Sequence, residues 1–208
     1  MKKFAIIGVG FLVLLCLLFL GGCNSYNGLV KSKQNVDQSW AQVQNVYQRR
    51  SDLIPNLVST VSGAANFEKS TLTEITKARA SVGQVNVNPN SAPNSPEDLK
   101  KFDAAQGQLS SALSRLLVVS ERYPDLKANS SFLGLQAELA GSENRIAVER
   151  KRFNEAVQGY DTRVETFPTL IFARMFGFLP KPYFAAREGS DVAPKVEFNF
   201  GNSPATNK

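Results

Sequence analysis

Apolar residues recur every three to four positions over long stretches of this chain. The longest stretch runs from Asn129 to Phe167, with Phe132, Leu135, Leu139, Ile146, Phe153, Val157, Tyr160, Val164 and Phe167 in step. Including Glu143 and Arg150 makes the intervals alternate almost strictly between three and four. That is the period of a helix with one sustained inward stripe, since a strand would repeat every two residues. At 1.5 Å per residue the rod is about 55 Å long. A rod of this kind cannot bury its stripe alone, so the rest of the chain must supply partner helices.

Three further stripes supply them. Val36, Trp40, Val43, Tyr47, Arg50, Ile54, Leu57 and Val61 predict a first helix over residues 26–62. Pro55 lies inside it, where a proline removes one backbone donor and costs roughly 3 kcal/mol. The register holds on both sides, which favours one kinked helix, ended by Gly63, over two helices with a fresh start at Ser51 or Asp52. A second helix is predicted over 66–82, with Leu72, Ile75 and Val82 inward. The stretch from Gly83 to Ser95 reads as a flexible, dispensable surface loop. Ser95-Pro96-Glu97-Asp98 then starts a third helix with a hydroxyl cap, proline in the first turn and two acids. This helix carries Leu99, Phe102, Leu109, Leu113, Leu116, Leu117 and Ser120 and stops before Tyr123-Pro124. After the rod, Val196, Phe198 and Phe200 alternate with polar residues as a short strand would, and the chain ends polar.

The N-terminus changes the picture from a soluble bundle to a tethered one. Lys2 and Lys3 precede an uncharged run from Phe4 to Gly22. As a helix that run spans about 28 Å, close to the thickness of a bilayer core. It reads either as a retained single-pass helix or as a lipoprotein signal, because Phe19-Leu20-Gly21-Gly22-Cys23 places small residues before a cysteine, as a lipobox does. Both readings keep Lys2 and Lys3 in the cytoplasm and export the body. The parts expected are thus an anchor or signal over 1–23, a helical bundle over 24–186 and an extended polar tail over 187–208.

The net charge is +6, of which Lys2 and Lys3 contribute two. So mild an excess does not point to nucleic acid, whose binders concentrate basic patches. The chain contains no histidine, which removes His-based triads, His metal sites and the usual general base near neutral pH. Its two cysteines, Cys16 and Cys23, form neither a disulfide framework nor a zinc spacing. Glu143 lies five and six residues from Glu138 and Glu149, on different helix faces, so no carboxylate pair is set up for acid–base work. These absences lead to the expectation that the protein is not an enzyme and takes no cofactor.

Arg50, Glu143 and Arg150 occupy inward steps of two stripes. They suit either a ligand site inside the bundle or a buried ionic cluster that fixes helix register. The second is favoured because charges are rarely buried unpaired and no catalytic chemistry lies nearby. Antiparallel pairing of the first helix and the rod sets Arg50 against Glu143. Asn56, Asn144 and Asn154 are further candidates for ligand contacts or helix-bridging bonds. Phe172, Arg174, Phe176, Phe178, Lys181, Tyr183 and Phe184 form an aromatic and basic stretch after the rod. It suits a cap on the core, with some rings and both cations facing a membrane interface.

In the order and spacing of its motifs the chain resembles the LemA family (the LemA/MamQ group) of bacterial membrane-associated proteins. The motifs are Tyr26-Asn27-Gly28-Leu29-Val30, the run from Arg49 to Val58, Tyr123 to Asn129, Leu135-Gln136, Glu143 to Ala147, Arg150, Phe153-Asn154 and Phe167-Pro168. Asp161 departs from the pattern, which usually has Asn there, and Cys23 before the Tyr-Asn motif departs from the usual single-pass anchor. The resemblance implies an all-α fold, an antiparallel up-and-down bundle of about four long helices behind an N-terminal anchor, in agreement with the stripes. It implies no enzymatic reaction and an association with membrane proteases or membrane-stress proteins. The expectation is a tethered interaction or scaffold module of the bacterial envelope, with the lipid bilayer and other envelope proteins as partners. An accessory regulator of a membrane protease and a small-ligand sensor built on Arg50, Glu143 and Arg150 are the alternatives. The intact mass of the membrane-extracted protein separates the two N-terminal readings: an acylated chain starting at Cys23 for the lipobox, an uncleaved chain starting at Met1 for the retained helix.

Overall fold

The protein, as a computed structural model, is described over residues 2–63, 67–85 and 91–185, with the side chains of Gly10 and Leu12 and of Gly21 onward in the first helix. The six elements among the described residues are all helices: α1 (Lys2–Ser62), α2 (Lys69–Gln84), α3 (Pro96–Ser120), the single turn α4 (Pro124–Lys127), α5 (Ser130–Glu165) and α6 (Thr169–Phe176). The strand expected at 196–200 and the polar tail lie outside the described residues. Among the described residues no helix is long and apolar enough to cross a membrane. The uncharged run from Phe4 to Gly22 falls almost wholly on residues whose side chains are outside that description.

The four long helices alternate in direction. α1 packs most closely on α5, and α2 on α3. Arg163 near the end of α5 donates to the Gly28 carbonyl at 3.3 Å, while Glu143 earlier in α5 meets Arg50 further along α1. Arg115–Glu74 and Arg122–Glu68, both at 2.9 Å, set α2 and α3 antiparallel in the same way. Trp40 touches Phe102 and Arg50 touches Gln106, so α3 runs parallel to α1.

Local signals explain the helix ends. Ser95 accepts from the Asp98 amide at 3.1 Å, and Asn129 accepts from the amides of Ser131 and Phe132 at 2.9 and 3.2 Å. These satisfy donors that the first helical turn leaves without partners. α6 stops at Gly177, whose φ of 74° is left-handed backbone that glycine adopts without penalty. α1 passes through Pro55 as one helix. Proline at 55 has no N–H to give the Ser51 carbonyl, its normal helical partner. Arg79 of α2 donates its Nε to that carbonyl at 3.3 Å.

Two apolar clusters fill the bundle. One gathers Leu29, Val36, Trp40, Val43 and Tyr47 of α1 with Phe102, Phe153, Val157, Tyr160, Val164 and Phe184. The other gathers Ile54, Leu57 and Val61 with Ile75, Leu109, Leu116, Phe132 and Leu139. Trp40 is the hub of the first, with Phe102, Phe153 and Phe184 rings 5.1–6.1 Å away. Such ring pairs add to what area burial alone supplies.

Four expectations need correction. α2 starts at Lys69, and its deepest residues are Thr71 and Ile75, with Leu72 and Val82 only partly buried. The loop before α3 is not dispensable at its C-terminal end. Ala92 and Pro93 are buried there, and the Ala92 amide donates to Asp37 at 2.8 Å; residues 86–90 lie outside the described residues. Phe167 is 75% exposed, because Thr166 leaves the helix in extended geometry and ends the stripe. The chain after α6 is not a plain end cap but a strap that runs back along α5. Tyr160 donates its hydroxyl to the Leu179 carbonyl at 3.0 Å, and Asp161 accepts from the Lys181 amide at 2.9 Å. Asn154 both donates to and accepts from the Phe184 backbone, at 3.0 and 2.9 Å.

Burial pushes the Asp161 carboxyl above its ordinary range, against the lowering effect of the Lys181 amide and Tyr183. A carboxyl whose folded value exceeds its unfolded value subtracts stability while ionised, and that penalty fades as pH falls through the folded value. Asn accepts the same amide bond without a charge. Asp161→Asn is therefore expected to be more stable than the parent at pH 7, with the gap closing toward pH 4. Urea unfolding across that range measures it.

Candidate functional site

A polar layer separates the two apolar clusters. Arg50 sits at its centre with 1% of its surface exposed. One terminal nitrogen donates to Glu143 at 2.5 Å and to the Ser110 hydroxyl at 2.7 Å. The other donates to the Gln106 side chain at 2.5 Å. The guanidinium lies 5.1 Å from the centre of the Tyr47 ring. Its Nε is buried without a hydrogen-bond partner. The expected pair between α1 and α5 is thus present, but with a wider set of partners. Gln106 and Ser110 of α3, which tie the second helix pair to the first, carried no sequence signal as single polar residues within a helix.

Arg150 stands two turns along α5 from Glu143 and does not join Arg50. It pairs with Asp103 of α3 at 2.7 Å, donates to the Ala185 carbonyl at 3.3 Å and lies 4.3 Å from the centre of the Phe184 ring. The expected three-residue cluster is therefore two ion pairs in succession, Arg50–Glu143 joining α1 to α5 and Arg150–Asp103 joining α5 to α3. Burial pushes the Tyr47 hydroxyl between them above its ordinary range, and the Arg150 charge opposes that shift. Of the three asparagines, Asn56 and Asn144 are exposed and Asn154 clamps the strap.

Above these pairs α3 and α5 stand apart and enclose an open cleft of about 640 Å³. Its α3 wall is Asp103, Gly107, Ser110 and Ser114, at steps of four, three and four, and Lys100 stands at the rim. Its α5 wall is Glu143, Ile146 and Arg150. Among the described residues no group of His, Cys, Asp and Glu side chains comes together in a way that would hold a metal ion.

The aromatic stretch divides in two. Phe172 and Phe176 of α6 lie against the outer end of α1, where Gly22 leaves room for the Phe172 ring and Tyr26 meets the Phe176 and Phe178 rings edge-on at 5.0 and 5.8 Å. Arg174 and Tyr183 face outward. Lys181 and Phe184 do not. Lys181 is 6% exposed and donates its ammonium to the Ala92 carbonyl at 3.0 Å and to the Asn94 side chain at 2.5 Å. Burial pushes its amine below its ordinary range. Phe184 completes the ring cluster around Trp40. Both face inward because the strap doubles back, which a count of aromatic and basic residues does not reveal. Cys23 is an exposed free thiol beside α6, within the continuous α1.

Among the described residues, four long helices that alternate in direction, a layered core and a return strap define an all-helical bundle with one apolar end at the outer part of α1. The chain belongs to the LemA family, whose model matches residues 39–198. It is 25% identical to Protein LemA of Metamycoplasma hominis over 163 residues, 78% of this chain and 69% of that one. It is also 25% identical to Magnetosome protein MamQ of Magnetospirillum gryphiswaldense over 191 residues, 82% of this chain and 70% of the relative. Magnetosome protein MamQ 2 of Paramagnetospirillum magneticum is 29% identical over 93 residues, 45% of this chain and 34% of that protein.

Arg50 is buried while the Glu143 side chain is 41% exposed, so the pair is lopsided. Arg50→Ala removes a buried cation and leaves Gln106, Ser110 and Glu143 without it, an expected loss of about 3–5 kcal/mol. Glu143→Ala leaves the buried Arg50 charge with neutral acceptors alone and no counter-ion, so its loss should be of the same order, about 3–5 kcal/mol. A double mutant close to Arg50→Ala alone is the expected result of a denaturation cycle, and strictly additive losses would count against direct coupling.

Proposed function

We propose that the protein is a non-enzymatic interaction module held at a bacterial membrane by its N-terminal segment, with the α6 end resting on the bilayer. One observation carries this reading. The exposed large apolar residues Phe167, Ile171, Met175, Phe176 and Leu179 gather on and around α6, where α1 comes in from its uncharged run. Bilayer binding is a common reason for so concentrated an apolar patch. Arg174 in the same helix is exposed and suits an anionic headgroup. The far end of the bundle, with α4 and the ends of α1 and α3, is then presented away from the membrane to other envelope proteins.

Trp40 is the chain's one tryptophan and is fully buried, so it serves as an internal reference. The test uses full-length protein in lipid nanodiscs containing brominated acyl chains. Phe176→Trp is expected to add emission that the bromines quench strongly. Val118→Trp, exposed near the far end of α3, is expected to add emission that is not quenched. Equal quenching at the two positions, or none at either, would overturn the proposed orientation.

A further inference from the structure

The cleft between α3 and α5 is larger than the ion pairs beneath it require. Its volume of about 640 Å³ lies within the usual range for small-molecule sites. Its charges do not cancel. Asp103 is paired with Arg150, and Glu143 with Arg50, which leaves Lys100 as a cation with no ion pair or hydrogen bond among the described residues. Each carboxylate has its arginine counter-ion: both oxygens of Asp103 accept from Arg150, and one oxygen of Glu143 accepts from Arg50 and from Ser110. Uncommitted donors are a different matter. Arg50, 1% exposed and lining the cleft, keeps a buried Nε–H without an acceptor. A buried donor of that kind is uncommon in a native structure and calls for an explanation.

We propose that this cleft binds a small organic anion, through a carboxylate or phosphate group held between Lys100 at the rim and the Arg150 guanidinium, with the buried Arg50 charge behind them. Oxyanions fit because guanidinium and ammonium groups make their strongest hydrogen bonds to them. An organic body fits because Ile146, Ala104 and the Tyr47 ring give the cleft apolar wall. A cation is disfavoured because the carboxylates already have partners. Bound here, the anion bridges α3 and α5 beside the Arg150–Asp103 and Ser110–Glu143 contacts, and so tightens one helix pair against the other.

Gly107 offers a way to close the cleft without disturbing the fold. A Cβ placed there meets nothing within 4 Å. A larger residue at this helical position also improves helix propensity. The probes are acetate, succinate, inorganic phosphate and glycerol 3-phosphate, each titrated into full-length protein in detergent micelles at constant ionic strength set with chloride. Melting temperature and calorimetry are the readouts. The expected result is saturable binding of succinate or glycerol 3-phosphate, tighter than acetate or phosphate. Gly107→Leu should weaken it more than about tenfold, and Lys100→Gln about threefold or more, with melting of the unliganded variants no lower than that of the parent. No saturable binding by any probe would overturn the proposal. So would binding that Gly107→Leu leaves unchanged, since the anion would then sit elsewhere. Inorganic phosphate binding as tightly as its glyceryl ester would overturn the organic part of the assignment.

Discussion

The structure turns on one buried guanidinium. Arg50 has almost no contact with solvent, so its charge has to be met inside the bundle. Removing a cation from water is expensive, and only close, well-aligned acceptors offset it. Those acceptors come from α3 and α5 at once, from Gln106 and Ser110 on one and Glu143 on the other. Apolar stripes alone allow helices to slide by a turn with little change in buried area. A buried charge does not, because a slide of one turn leaves it unmatched. The polar layer thereby fixes the register of two antiparallel pairs that touch each other over less backbone than the helices within each pair do.

The same principle recurs at smaller scale. Pro55 withholds a hydrogen bond from the Ser51 carbonyl, and Arg79 supplies one from the neighbouring helix. The Ala92 backbone is fastened on both sides, its amide to Asp37 and its carbonyl to Lys181. The strap, lacking secondary structure, takes its bonds from Asn154, Tyr160 and Asp161. Burial pushes the Tyr160 hydroxyl up to about 12, so it remains a donor to Leu179 throughout the physiological range. At each of these places where regular backbone pairing stops, a side chain from another element supplies the bond.

Much of this was legible in the sequence, for a physical reason: long helices write a regular period. The stripe from Val36 to Val61 and the rod from Ser130 to Glu165 follow from it, and the cap at Ser95 follows from the Ser-Pro-Glu-Asp order that opens α3. The pair between Arg50 and Glu143 was legible too, because two charges sat on inward steps of helices that had to be antiparallel. What had no period was not legible. Lys181 and Phe184 looked like neighbours of Phe176 and Phe178, and only the reversal after Gly177 turns them into the core. Arg150 looked like a partner of Arg50's cluster, but Asp103, an isolated acid on α3, claims it. Ala92 sat in a segment whose composition reads as loop, and burial of a loop end depends on tertiary partners that composition does not encode.

α1 is one uninterrupted helix from Lys2 to Ser62. Twenty-eight residues separate Gly22, beside α6, from Arg50, an axial distance of about 42 Å. Pro55 lies beyond Arg50 rather than between the two points. Leu29, Val36, Trp40, Val43 and Tyr47 are packed in the core along that distance, so the angle at which α1 leaves the bundle is set by the same contacts that aim Arg50 at Gln106, Ser110 and Glu143. In mechanical terms α1 is a keyed shaft: one continuous helix carries both the outer end and the centre of the bundle, and the bundle holds it at one angular setting.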